Sequence, residues 1–324
     1  MSRTDMGPAD GKRRVPTSGG EIAFTDDGDG PPVLLIHGFP QSAFVWRDLG
    51  PLLSSRFRVI VPDMLGSGDS DRPADTPLGL VAQAGYLAEL VRALEIERYA
   101  VIGHSVGGGV AQLLALDHDG VDAMVLMSST AFDAWPTLLT REIQRTPPEQ
   151  EVELFVHSGM RASLRIGMAD PDRITPDQVA EYLRPWSGPE GVASFFRFAR
   201  AMDGTGLVGR DADLGALEIP VLIFWGEEDE FYPPAIAERL NETIPTSTLG
   251  LLPGCRHFLV EDAIETIGPM IYEYLRARYL HEPHGGHAEG SGIVTIQLER
   301  RPPWVDMAEV EEDAWHDVDD EEDE

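Results

Sequence analysis

Lysine is all but missing from this 324-residue chain, with Lys12 its single example. With arginine counted there are 25 basic residues against 56 acidic ones, a formal charge of −31. A surface of that sign repels phosphate backbones and anionic bilayers, so nucleic acid and membrane are excluded as partners. Cysteine is equally scarce. Cys255 stands alone, no intrachain disulfide can form, and a reducing, cytoplasmic setting is expected. No apolar run approaches the roughly 18 residues of a membrane span. The polar stretch Met1–Gly20 carries Lys12, Arg13 and Arg14 but no apolar region of a secretory signal. The want of lysine fits a GC-rich coding sequence and a high-salt habitat equally. Twelve of the acidic residues crowd into Val305–Glu324, which has no Lys or Arg, and the total without them would still be −19.

What the chain does have is a short apolar run, Tyr99–Ile102, that ends in Gly103-His104-Ser105-Val106-Gly107 and passes into a small-residue helical pattern (Val110, Ala111, Leu113, Leu114). This reads as a strand, a sharp turn with a serine at its apex, and a helix. Gly103 and Gly107 flank the serine because side chains there would collide with the turn, and the strained backbone lifts the serine hydroxyl to where a base can reach it. The bland alternative is a glycine-rich turn with a passenger serine. The strand before it and the helix after it argue against that.

Similar apolar runs recur at Val33–Ile36, Val59–Val61, Met124–Met127 and Val221–Phe224. They are continuous rather than alternating, as parallel strands buried on both faces should be. Helical patterns separate many of them, at Leu80–Leu94, Val110–Leu116, Ala235–Leu240 and Ala263–Tyr279. The chain is therefore expected to be α/β with a mainly parallel sheet, and ligands should bind at the carboxyl ends of the strands. The alternation stops after Met127. From about Ala131 to Leu217 no strand is expected, only helices near Pro136–Gln144, Glu149–Ile166, Pro176–Leu183 and Gly191–Met202. This insertion reads as a helical cap. Most of its aromatics should pack cap against core, and a few should line an apolar pocket. Trp135 and Trp186, with Phe231 and Phe258 beyond the cap, are the expected substrate contacts. His281–Gly292 reads as a linker, and its histidines as linker residues rather than metal ligands. Ile293–Glu299 alternates like a half-buried strand, and the acidic tail follows. The tail is expected to be solvated, or else to engage a protein partner through its strand.

A serine needs a base, and the base needs an orienting acid. In this topology the order should be Ser, acid, His. The acid is expected in Trp225-Gly226-Glu227-Glu228-Asp229-Glu230, where Asp229 stands three places past the glycine with Pro233 beyond. Asp133 is its rival. The base is expected to be His257, on the loop after the run Ser247–Leu252. His37 and His104 fit structural roles, and His118 and His157 lack a matching acid and loop. Two backbone N–H groups should hold a developing oxyanion: Val106, at the start of the elbow helix, and Phe39 in His37-Gly38-Phe39-Pro40.

Together these segments, with Asp63-Met64-Leu65-Gly66-Ser67-Gly68-Asp69-Ser70-Asp71-Arg72-Pro73, resemble the α/β-hydrolase superfamily over roughly residues 20–280. The resemblance implies an α/β-hydrolase core at 20–130 and 218–280 and a cap at 131–217; outside it, composition and pattern give a flexible segment at 1–19 and a linker, short strand and acidic tail at 281–324. The motifs around Phe39 and Asp63, with Trp46, are most similar to the epoxide hydrolase and haloalkane dehalogenase branch. That branch uses an aspartate nucleophile, and Ser105 stands in its place, so its alkyl-ester chemistry is not expected here. Tyr182 is the one tyrosine in the cap, where epoxide hydrolases use tyrosines to activate the ring. The expected activity is serine hydrolysis of a carboxylic ester or lactone with an apolar moiety, on a small molecule, by a monomer or homodimer that needs no metal or organic cofactor. The alternatives are a carbon–carbon bond hydrolase, a cofactor-free perhydrolase or haloperoxidase, and a non-catalytic ligand receptor on the same fold.

Overall fold

Strands that are apolar at every position have two faces to cover, and the computed structural model, which describes residues 11–279 and 292–295, covers both. The strands are β1 (Arg13–Thr17), β2 (Gly20–Asp27), β3 (Pro32–Ile36), β4 (Arg58–Pro62), β5 (Tyr99–His104), β6 (Val121–Met127), β7 (Val221–Gly226), β8 (Ser247–Leu252) and β9 (Gly292–Thr295). They form one sheet in the order β1-β2-β4-β3-β5-β6-β7-β8-β9. β2 runs antiparallel to both its neighbours, and the pairs from β4 through β9 are all parallel. This is the α/β-hydrolase fold.

The helices are α1 (Leu49–Ser54), α2 (Leu80–Ala93), α3 (Val106–Asp117), α4 (Leu138–Arg145), α5 (Glu151–Ser158), α6 (Met160–Gly167), α7 (Pro176–Leu183), α8 (Gly188–Ala201), α9 (Asp211–Gly215), α10 (Ala235–Thr243), α11 (Leu259–Asp262) and α12 (Ile264–Tyr279). Successive strand residues alternate between two cores. Leu34, Ile36, Val101, Met124, Leu126 and Ile223 pack with α2, α3 and α10. Val33, Leu35, Ile102, Val125, Met127 and Phe224 pack with α1 and α12. No helix among the described residues is long and apolar enough to cross a membrane.

The chain end expected to be flexible contains a strand. β1 pairs with β2 through the turn Ser18-Gly19, in the register Thr17↔Gly20, and Thr17 Oγ1 donates to the Gly20 carbonyl at 2.6 Å. The strand escapes a hydrophobic pattern search because it is a polar sheet edge, with Arg13, Arg14 and Pro16 exposed. Just before it, Lys12 pairs with Asp63 at 2.5 Å and Asp69 at 2.6 Å. At the other end, β9 is the edge strand and pairs parallel with β8. The strand expected at 293–299 thus occurs over its first residues, on this chain's own sheet. Residues 296–299, the linker histidines and the acidic tail lie outside the described residues.

Six helices, α4 to α9, lie between β6 and β7, with no strand among them. Local chemistry starts several. Thr137 caps α4, and α7 opens with a capping box in which the Thr175 and Gln178 side chains bond each other's backbone N–H, followed by Pro176. Trp186, Val192, Phe195, Phe196 and Ala199 form a separate cluster with Ile143, and the Phe39 ring packs against it at 4.9 Å from Phe195 while lying 5.4 Å from Phe198 of the sheet-domain core. A polar lock joins α7 to the sheet domain. Arg47 donates to both oxygens of Glu261 (2.7 and 2.6 Å), and the Tyr182 hydroxyl donates to the same carboxylate. The Glu261 side chain is 5% exposed and that of Arg47 19%.

Removing one partner of such a pair strands the other charge. Glu261→Ala should destabilise the fold by roughly 3 kcal/mol, at the low end for a broken buried pair because Arg47 keeps the Phe44 ring and some access to water. Glu261→Gln, which retains an acceptor for Arg47, should cost clearly less. Denaturant unfolding of the two variants checks both.

Candidate active site

β5 delivers Ser105 at its carboxyl end. The serine has φ 56° and ψ −124°, and α3 begins at the next residue. Few non-glycine residues adopt that backbone. It is held from both sides: the Ser105 N–H donates to the Met127 carbonyl at 3.1 Å, and its carbonyl accepts from Gly108 and Thr130 at 3.0 Å each. The turn also demands close approach. A Cβ on Gly103 would lie 2.4 Å from the Gly107 carbonyl oxygen, and one on Gly107 would lie 2.3 Å from that of Ile36. A Cβ on Gly38 would lie 2.7 Å from the Ser105 Cβ. Both N–H groups expected to face an oxyanion, those of Phe39 and Val106, have no hydrogen-bond partner among the described residues.

The loop after β7 selects one of its four carboxylates. Glu227, Glu228 and Glu230 are exposed, whereas the Asp229 side chain is fully buried. Asp229 Oδ1 accepts the N–H groups of Phe231 and Tyr232, each at 2.9 Å, in a local turn. Oδ2 is left for His257 Nδ1, at 2.9 Å. With Nδ1–H donating to the carboxylate, Nε2 is the basic nitrogen. Asp133, the rival acid, is 82% exposed and faces Arg239 instead. The His257 ring lies among Phe231 (5.0 Å), Tyr232 (5.2 Å) and Phe258 (5.3 Å). Ser105 and His257 line one cavity of about 30 Å³, although no hydrogen bond joins them in this structure; the serine hydroxyl faces that of Tyr232. Trp135, Phe231 and Phe258 line the same cavity.

Trp186 does not line it. The structure places Trp186 in the cap cluster, fully buried, with its indole N–H donating to the Pro40 carbonyl at 2.7 Å. It acts on the site through the Phe39-Pro40 loop rather than through substrate. Sequence reasoning also missed lining residues, notably Tyr232, Leu139, Ile143 and Ser163. The first sits three residues past Asp229, and that spacing is the one signal that could have found it. Tyr182 points elsewhere, into the lock with Glu261.

The two histidines nearest the motifs are buried and brace the backbone. His37 Nδ1 bonds the Gly38 carbonyl at 2.7 Å, and Nε2 accepts from the Met64 N–H at 2.9 Å. Burial pushes its pKa down. His104 bridges the Gln41 side chain (2.8 Å) and the His257 carbonyl (2.9 Å), and burial, aided by the neighbouring His257, lowers its pKa to about 3. His104 is therefore neutral near neutral pH, and burial disfavours the charged form of His37 as well. Asp262 braces the same loop from below, its two oxygens accepting from the Arg256 N–H (2.8 Å) and the Ala169 N–H (2.9 Å). The Phe258 N–H donates to the Gly167 carbonyl at 2.8 Å, a second tie between α6 and the histidine loop. Among the described residues no group of His, Cys, Asp and Glu is arranged to hold a metal ion.

The sheet order is that of one family. A family model described as alpha/beta hydrolase fold matches residues 31–150. The chain is 31% identical over 274 residues to haloalkane dehalogenase 2 of Mycobacterium bovis, covering 79% of this chain and 92% of that one. It is 29% identical over 272 residues to 2-hydroxymuconate semialdehyde hydrolase of a Pseudomonas species, covering 81% and 93%. A meta-cleavage product hydrolase (CumD) of Pseudomonas fluorescens superposes with a TM-score of 0.70 at 27% identity, covering 82% and 98%. The chain belongs to the α/β-hydrolase family.

Burial raises the pKa of Asp262 to about 6, against the two N–H bonds and the nearby Arg173, which lower it. A carboxyl whose pKa is higher folded than unfolded adds stability when protonated. That contribution is complete below about pH 4 and disappears as pH rises through about 6. The stability of wild type relative to Asp262→Asn should therefore fall between pH 4 and pH 7, measured by denaturant unfolding at each pH. A difference independent of pH would contradict this.

Proposed function

We propose that the protein is a serine hydrolase that cleaves a carboxylic ester or lactone with an apolar moiety through an acyl-enzyme. The observation that carries this reading is the meeting, around one cavity, of a strained elbow serine and a histidine held by a buried aspartate, with the unpaired backbone N–H groups of Phe39 and Val106 on the segments beside the serine. His257 Nε2 takes the proton of Ser105 as the hydroxyl attacks the carbonyl carbon. Asp229 fixes the ring and stabilises the imidazolium. The Phe39 and Val106 N–H groups receive the oxyanion. Collapse of the intermediate expels the alcohol, which takes its proton from His257. Water then enters and repeats the sequence on the acyl-enzyme.

A second reading is hydrolysis of a carbon–carbon bond by the same residues. It is favoured by the similarity to 2-hydroxymuconate semialdehyde hydrolase and to CumD. Dehalogenation, the activity in the name of the mycobacterial relative, is not proposed, because alkyl transfer to the Ser105 hydroxyl would give an ether, which water does not cleave.

p-Nitrophenyl esters of increasing acyl length, assayed beside 2-hydroxymuconate semialdehyde, separate the two readings. Ester turnover should dominate, and Ser105→Ala should lower it by roughly three orders of magnitude or more. A fluorophosphonate probe should label wild type and not Ser105→Ala. Ester turnover that persists in Ser105→Ala would sink the serine mechanism.

A further inference from the structure

The hydroxyl of Tyr232 has no task in the scheme above, yet it is costly where it stands. Tyr232 is 1% exposed, and its oxygen has no hydrogen-bond partner of ordinary geometry. A buried hydroxyl without a partner destabilises a fold. Loose anchoring does not account for it. The Tyr232 N–H donates to Asp229 Oδ1 at 2.9 Å, and its carbonyl accepts the Trp225 indole N–H at 2.9 Å. The ring stands edge-on to His257 at 5.2 Å and lies 6.3 Å from Trp135. These contacts hold Tyr232 in the cavity wall, with its hydroxyl close to those of Ser105 and Thr130. Thr130 Oγ1 is itself buried and makes no hydrogen bond of ordinary geometry, so the contact between the two hydroxyls is a weak one that a better acceptor can replace.

The strand order says which reacting oxygen this hydroxyl can serve. Phe39 follows β3, on one side of β5 and its serine. Thr130, Tyr232 and His257 follow β6, β7 and β8, on the other side. The oxyanion therefore belongs to the Phe39 side. The departing oxygen, which must take its proton from His257, belongs to the Tyr232 side.

We propose that Tyr232 is a further catalytic residue, whose hydroxyl donates a hydrogen bond to the departing alcohol oxygen of the ester and, in deacylation, to the attacking water. The proposal rests on the serine-hydrolase reading. In acylation the bond from Ser105 Oγ to the carbonyl carbon forms, and His257 takes the serine proton. The bond from that carbon to the alkoxy oxygen then breaks, and the same proton passes from His257 to the leaving oxygen. Tyr232 keeps its own proton throughout and only stabilises the charge growing on that oxygen. Burial holds its pKa well above the usual phenol value, so it is a donor at every pH at which His257 can act as base.

Tyr232→Phe removes one oxygen and keeps the ring contacts with His257 and Trp135. The test compares wild type with this variant on esters of one acyl group whose leaving groups run from weakly basic p-nitrophenolate to strongly basic alkoxides. The variant should lose about 10- to 100-fold in kcat/KM on the alkyl esters and only a few-fold on the p-nitrophenyl ester, since a poor leaving group depends most on the donor. Fluorophosphonate labelling of Ser105 should persist, and thermal stability should hold or rise because an unpaired buried hydroxyl is gone. A loss equal across all leaving groups, no loss at all, or a fall in stability would overturn the role of Tyr232 and leave the serine mechanism standing. A wild type with neither ester turnover nor labelling would overturn the serine reading, and this proposal with it.

Discussion

The backbone turn at Ser105 is the constraint on which the site depends. A left-handed residue between a central parallel strand and a helix can persist only if its surroundings leave no other arrangement. Three neighbours comply by lacking a Cβ: Gly103 and Gly107 across the turn, and Gly38 from the loop after β3. Two of the hydrogen bonds that pin Ser105 come from the strand-end segment Met127–Thr130, and one from within α3. The elbow is therefore a joint property of β3, β5, β6 and α3. Its consequences are an elevated serine hydroxyl and a helix N-terminus whose first N–H is free.

The segment between β6 and β7 is coupled to that elbow at several points. Phe39 offers its backbone N–H to the cavity while its ring packs against Phe195 and Phe198. Trp186 holds the Pro40 carbonyl, Tyr182 holds Glu261, and Gly167 and Ala169 bond the loop that carries His257. Movement of these helices would thus be felt at the Phe39-Pro40 loop and at His257. Specificity and catalysis share supports here, and a substitution in α8 can alter rate without touching substrate. Acidic loops and exposed carboxylates dominate the surface, but the charges that matter to the site are few and buried.

Much of this was legible in the sequence because it is encoded locally. Gly-x-Ser-x-Gly between an apolar run and a helix specifies a backbone, and that backbone specifies where the serine goes. Continuous apolar strands predicted a sheet covered on both faces, and the two alternating cores are that arrangement. Asp229 could be preferred over three neighbouring glutamates by its spacing from Gly226. The physical reason, a turn in which Oδ1 bonds two N–H groups and leaves Oδ2 for the histidine, needed coordinates. β1 was missed because a polar edge strand carries no hydrophobic period.

Order along the chain therefore determined the fold class, the strand that bears the serine, and the loops that bear Asp229 and His257. All follow from near-neighbour sterics and from the alternation of apolar residues. Only the tertiary structure decided which aromatics face the cavity. Trp135, Phe231 and Phe258 do, Trp186 does not, and Tyr232 brings an unpaired hydroxyl beside the serine. The direction of a side chain within a packed insertion depends on contacts between residues far apart in sequence, such as Trp186 with Pro40 or Tyr182 with Glu261, and no local pattern records them.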